Sequence, residues 1–152
     1  MKALPESARM ERFLVYELHM LYHLLSKHLE KRFARDAELS FSQFWIVHCL
    51  CSCAHDARHS QNDIARMLFV TEATISRHLD TLVRRGILKR SVEKQNKRKH
   101  DIRITEKGEK WYQKAQQILD DELRNIFSPL QMSERQPLLM TLQTITNTIH
   151  TI

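Results

Sequence analysis

Glycine and proline are scarce in this chain, two and three residues respectively out of 152. An all-β sandwich or barrel needs turn residues at roughly every 8–12 positions, so that class is excluded and a mostly helical chain is predicted. Cysteine is also sparse, and all three thiols, Cys49, Cys51 and Cys53, fall in one short stretch. An odd number at that spacing makes no disulfide framework and suits a reducing compartment. Long apolar runs are missing too. The longest, Phe44 to Leu50, is seven residues interrupted by His48, far below the roughly 20 that span a bilayer. No basic start leads into an apolar block with a small-residue cleavage site, so the expectation is a cytoplasmic protein with no membrane partner.

What remains is a length suited to one domain and a hydrophobic content of 42%, enough for a core without disulfide staples or a structural metal. Lys and Arg outnumber Asp and Glu by 24 to 18, a net charge of +6. The excess is local: between Arg84 and Arg103, nine cations face only Glu93 and Asp101, and the rest of the chain is almost neutral. A concentrated positive field attracts a polyanion and releases its condensed counterions on contact, which a diffuse excess does not.

Apolar periodicity gives the order of elements. Met10, Phe13, Leu14, Leu18, Leu21, Leu25 and Leu29 recur at steps of three and four, predicting a long first helix from Ser7 to about Arg35. Ser40 and Gln43 have capping-box spacing before a second helix carrying Phe44, Trp45, Val47 and Leu50. Ser60 to Asp63 offers a cap and an acidic first turn for a short third helix. Thr71 can cap a fourth, with Ile75, Leu79, Leu82 and Val83 inward, and Gly86 stands where a helix ends. The third and fourth helices have the size of a helix-turn-helix. Ile87–Val92 and Asp101–Thr105 read as strands of a hairpin around the basic loop 93–100. Thr105 begins a further helix that Ser128-Pro129 ends, and Ser133 with Gln136 has capping-box spacing for the last one. There Leu138, Leu142, Ile145, Ile149 and Ile152 form a heptad-like line suited to a helix–helix seam.

Asp63-Ile64-Ala65, Thr71 to Leu79, Leu82 to Leu88 and Ile104-Thr105-Glu106-Lys107-Gly108, in this order of elements, resemble the MarR family of winged helix-turn-helix transcription regulators over nearly the whole chain. The resemblance implies a mainly α (α+β) fold with a two-stranded wing. It implies a DNA-binding lobe at residues 40–105 and a helical dimerisation region at 6–35 and 106–152. The family's wing has an Asp-x-Arg pattern whose arginine enters the minor groove. Here Arg98 matches the arginine, while Asn96 stands where the aspartate would be, which removes an ion pair.

Helical geometry turns Glu72, Ala73, Ser76, Arg77, Asp80 and Thr81 away from the inward face of the fourth helix. The expected DNA contacts are Thr71, Ala73, Thr74, Ser76, Arg77 and Thr81 on that helix, with Lys97, Arg98 and Lys99 on the wing. Arginine reads guanine bidentately in the major groove, and a capped helix start suits a phosphate. A dimer sets two such helices about one DNA turn, ~34 Å, apart and favours a pseudo-palindrome.

His48, Cys49, Cys51, Cys53, His55 and His59 leave three readings open: ordinary packed thiols, a redox sensor in Cys49, Cys51 and Cys53, or a metal site. The spacing is not that of a zinc C-x-x-C pair, and neither metal nor cofactor is expected. The family resemblance implies a small-molecule pocket, for which Tyr16, His19, His23 and Trp45 are candidate lining residues. Double-stranded DNA, a second copy of the chain and a small-molecule effector are the expected partners. The chain is read as a repressor released by a ligand or an oxidant. Rival functions are a small Cys/His-dependent enzyme and a metal-responsive winged-helix sensor. Against the enzyme, the sequence has no Gly-rich phosphate loop and no nucleophile elbow.

Overall fold

A computed structural model describes residues 6–52, 59–92 and 100–151. The order is α1 (Glu6–Asp36), α2 (Phe41–Ser52), α3 (Gln61–Met67), α4 (Glu72–Arg84), β1 (Leu88–Val92), β2 (His100–Ile104), α5 (Glu106–Ile126) and α6 (Met132–Thr151). The strands pair antiparallel with Leu88 opposite Ile104 and Val92 opposite His100, and His59 adds an isolated bridge to Ile102. The fold is the mainly helical winged helix that the resemblance implied, with its elements in the order expected from the periodicity. The chain divides into two compact units, Met1–Ile118 and Leu119–Ile152, with the division inside α5.

In the first unit one core draws on α2, α3, α4 and both strands. Ile46, Val47, Ile64, Ile75, Leu79, Leu82, Leu88 and Ile102 are all buried within it. The C-terminal end of α1 has its own aromatic anchor, where Phe33 lies 5.2 Å, ring centre to ring centre, from both Phe41 and Phe44.

Side chains close the helix ends where the sequence marks them. Ser40 N–H donates to Gln43 Oε1 and Gln43 N–H to Ser40 Oγ, and Glu30 of α1 accepts from Phe41 N–H at 2.8 Å. Three first-turn amides of α2 are thereby satisfied away from bulk water, which accounts for a buried Gln43. Ser60 and Asp63 form the capping box of α3, and Thr71 Oγ1 accepts from Thr74 N–H to cap α4.

Gly86, at φ +71°, closes α4 with paired bonds, Gly86 N–H to Val83 O and Ile87 N–H to Leu82 O, the left-handed ending that glycine adopts without strain. Thr105 Oγ1 donates to Gly86 O at 2.6 Å and accepts from Gly108 N–H. A Cβ on Gly108 would lie 2.2 Å from Ile87 O. The Thr-Glu-Lys-Gly element is thus a joint that seats the start of α5 on the base of the hairpin.

The second unit holds the end of α5 and α6. Arg135 donates to Phe127 O and Leu130 O, satisfying carbonyls left over at the end of α5. The cap expected at Ser133 is a correction: Ser133 lies inside α6, and Gln131 N–H instead bonds Glu134 Oε2 at 2.7 Å. A carboxylate in the first turn, favoured by the helix dipole, satisfies the orphan amide there. Leu123, Phe127, Leu138 and Leu142, with Arg124 and Arg135, line an open cavity of about 540 Å³ in this unit.

Candidate nucleic-acid interface

The fourth helix sorts its residues as its periodicity dictates. Ile75, Leu79 and Leu82 are buried, while Thr71, Ala73, Arg77 and Asp80 are exposed and Thr74, Ser76 and Thr81 are half-buried at the edge of the outward arc. Of the six helix residues expected to meet DNA, Thr71, Ala73 and Arg77 are thus open to solvent and the other three are partly covered. Arg77 Nε donates to Ala73 O at 3.4 Å, a weak contact that leaves most of the guanidinium's donors for a partner. Thr81 Oγ1 donates to Arg77 O, and Thr71 Oγ1 lies 2.9 Å from Thr74 Oγ1. Lys97, Arg98 and Lys99, together with Asn96, lie outside the described residues, as do Cys53 and His55.

Two ion pairs flank this surface. Arg90 of β1 meets Asp80 of α4 at 2.9 Å, and Arg66 meets Asp63 on α3 at 2.9 Å. Lys107 donates to Arg85 O, placing its charge at the C-terminal end of α4, where a cation complements the helix dipole.

A cavity of about 660 Å³ opens between the C-terminal half of α1, α2, the α3–α4 turn and α4, bounded in part by His23, Phe41, Trp45, Phe69, Thr74 and His78. Of the four residues expected to line a pocket, it brings together His23 and Trp45. Tyr16 lies elsewhere, with Arg9, Arg12 and Phe13. His19 is outside the cavity and meets His23 edge to face, ring centres 4.4 Å apart. Phe41, Phe69 and His78 were missed, because no periodicity links the α3–α4 turn to α1 and α2. Phe69 is the unusual member: it is 77% exposed and adopts φ +54°, a left-handed conformation that side chains bulkier than glycine adopt at a cost.

Cys49 and Cys51 form no disulfide and are both half-buried on α2. Burial, with Glu109 nearby, pushes the Cys51 thiol up to about 11, the direction opposite to thiolate activation. His48 Nδ1 is engaged by Tyr112 OH at 2.7 Å, within a stack in which Phe44 lies between 5.7 and 5.8 Å from both rings. Among the described residues no group of three or more His, Cys, Asp or Glu side chains is placed to hold a metal ion, and no helix is long and apolar enough to cross a membrane.

The sequence model of the MarR family matches residues 46–100. No curated protein matches the chain by sequence. Among solved structures, a MarR/EmrR family transcriptional regulator from Acinetobacter sp. ADP1 aligns with a TM-score of 0.81 at 18% identity, over 94% of this chain and 99% of that one. The transcriptional regulator BldR from Sulfolobus solfataricus gives 0.81 at 21% identity, over 95% and 99%. MepR of S. aureus, in complex with DNA, gives 0.74 at 23% identity, over 89% and 95%. At these identities the structural likeness is one of fold.

Proposed function

We propose that this chain, whose residues 46–100 match the MarR family model and whose fold is shared with MarR/EmrR regulators, is a transcription regulator that binds double-stranded DNA in a sequence-specific way, as a homodimer on a pseudo-palindromic site, and represses until a small molecule releases it. The observation that carries this is the outward arc of α4: an N-cap threonine, small residues and Arg77 on one exposed surface, backed by buried Ile75, Leu79 and Leu82. In a major groove Arg77 reads a base edge, while Thr71 and the first-turn amides of α4 meet a phosphate. Lys97, Arg98 and Lys99 supply charge to the backbone or minor groove. That a MepR–DNA complex has the same fold supports this assignment.

Self-association is supported by the apolar surfaces of α1 and α6. Met10, Phe13, Leu14, Leu21, Leu24 and Ile149 are each more than half exposed in the single chain, more than solitary surface residues account for. For release, the groove beside α4 is the natural seat of an effector: its wall includes Thr74 and His78 of the reading helix, so a ligand there bears directly on α4. Release by oxidation at Cys51 finds no support in a thiol held above its ordinary value. The cytoplasm, where DNA is accessible, is the proposed location.

Selection of bound duplexes from random DNA tests this. Enrichment of an inverted repeat with half-sites about one helical turn apart is expected, and recovery of unenriched DNA overturns the proposal.

A further inference from the structure

The DNA-facing arc of α4 contains a carboxylate, Asp80, three residues beyond Arg77. An exposed carboxylate there opposes a phosphate backbone. Here it is held by a cation from another element: Arg90 Nη1 donates to Asp80 Oδ1 at 2.9 Å. Arg90 reaches it because side chains alternate along β1. Leu88 is buried against the core and Lys89 is exposed, and Arg90, on the same face as Leu88, meets α4 at Asp80. Its side chain is 31% exposed, less than the 55% of Asp80. Arg84 Nε donates to Asp80 O and its Nη2 to Thr81 Oγ1. Thr81 Oγ1 in turn donates to Arg77 O. A polar chain thus runs from the first wing strand to the turn that carries Arg77.

We propose that Asp80 and Arg90 are a positioning pair: they fix the first wing strand against the reading helix and so set the orientation in which Arg77 meets a duplex. This rests on the DNA-binding function proposed above. An exposed ion pair adds little to folding stability, so its effect is separable from unfolding. Neither residue needs to touch a base.

The test compares wild type, Asp80→Asn, Arg90→Gln and the double variant. Each is titrated with the duplex enriched from random DNA and with a shuffled duplex, at two salt concentrations. Asp80→Asn removes a negative charge, yet its affinity for the enriched duplex is expected to fall about tenfold while its affinity for the shuffled duplex holds or rises. Arg90→Gln lowers the same ratio, and the double variant is no worse than the poorer single one. Thermal midpoints within a few degrees of wild type keep folding out of the comparison. Equal tightening on both duplexes by Asp80→Asn overturns the proposal, as do strictly additive losses in the double variant. A wild-type protein that prefers no duplex instead overturns DNA recognition itself.

Discussion

In the winged-helix lobe, Ile64, Ile75, Leu79, Leu82 and Ile102 are at most 1% exposed, whereas on α6 Leu138, Leu142, Ile145 and Ile149 stand 37–68% exposed. The lobe completes this core within a single chain. Helix α6 does not, and its chemistry suits burial all the same. From Gln136 to its end the sequence has no Lys, Arg, Asp or Glu. The hydroxyls of Thr141, Thr144, Thr146 and Thr148 each bond a carbonyl four residues earlier, at 2.9 Å. Threonines satisfied in this way sit in an apolar surface at little cost. The difference separates a lobe that packs its own core from a helix whose apolar surface suits the self-association proposed above.

Truncation in each region breaks or sharpens that contrast. Leu79→Ala, in a fully packed site, is expected to cost about 2–5 kcal/mol at every protein concentration, read by chemical denaturation. Leu142→Ala is expected to cost less and to lower stability chiefly through association, so that its effect grows on dilution. Concentration-independent losses of equal size at both positions would erase the distinction.

A smaller effect of opposite sign is expected in the α3–α4 turn. Phe69→Gly relieves a left-handed backbone and should raise stability by about 1 kcal/mol, and any ligand that uses the groove should bind it less tightly. Loss of stability on that substitution would show that the ring contributes more than its exposed position implies.

The smallest expected effect lies at alkaline pH. The Cys51 thiol is raised from 9.0 to about 11 in the folded protein. Between those values the unfolded chain has lost a proton that the folded one retains. The thiol's contribution is therefore complete below about pH 9 and declines as pH rises toward 11, an effect that partial solvent exposure keeps small. Cys51→Ala should flatten that part of the stability–pH curve, and an unchanged curve would contradict the assigned burial.

Most of the lobe was legible because its signals are local. Ser40 with Gln43, Ser60 with Asp63, Thr71 and Gly86 each mark a helix end through bonds spanning three to five residues, and the structure forms those bonds. At the start of α6 the local signal misled: Ser133 with Gln136 has box spacing, but the carboxylate of Glu134 bonds Gln131 N–H instead. The groove was only half legible. His23 and Trp45 stand out as polar and aromatic residues on helices, but Phe69 and His78 join them through the chain's return across α2, which periodicity does not encode. The same holds for Asp80 and Arg90, ten residues apart across a tight turn. The positive φ of Phe69 has no sequence signal at all, since a bulky aromatic is a poor left-handed residue.

The central claim is that α4 reads bases. It is tested most directly by titrating Arg77→Ala and Arg98→Ala against the enriched and shuffled duplexes at matched salt. Arg77→Ala is expected to lose preference for the enriched duplex, by about 1–3 kcal/mol, while Arg98→Ala weakens binding to both and lowers the salt slope by about one. An Arg77→Ala protein that keeps the full wild-type preference would contradict the account.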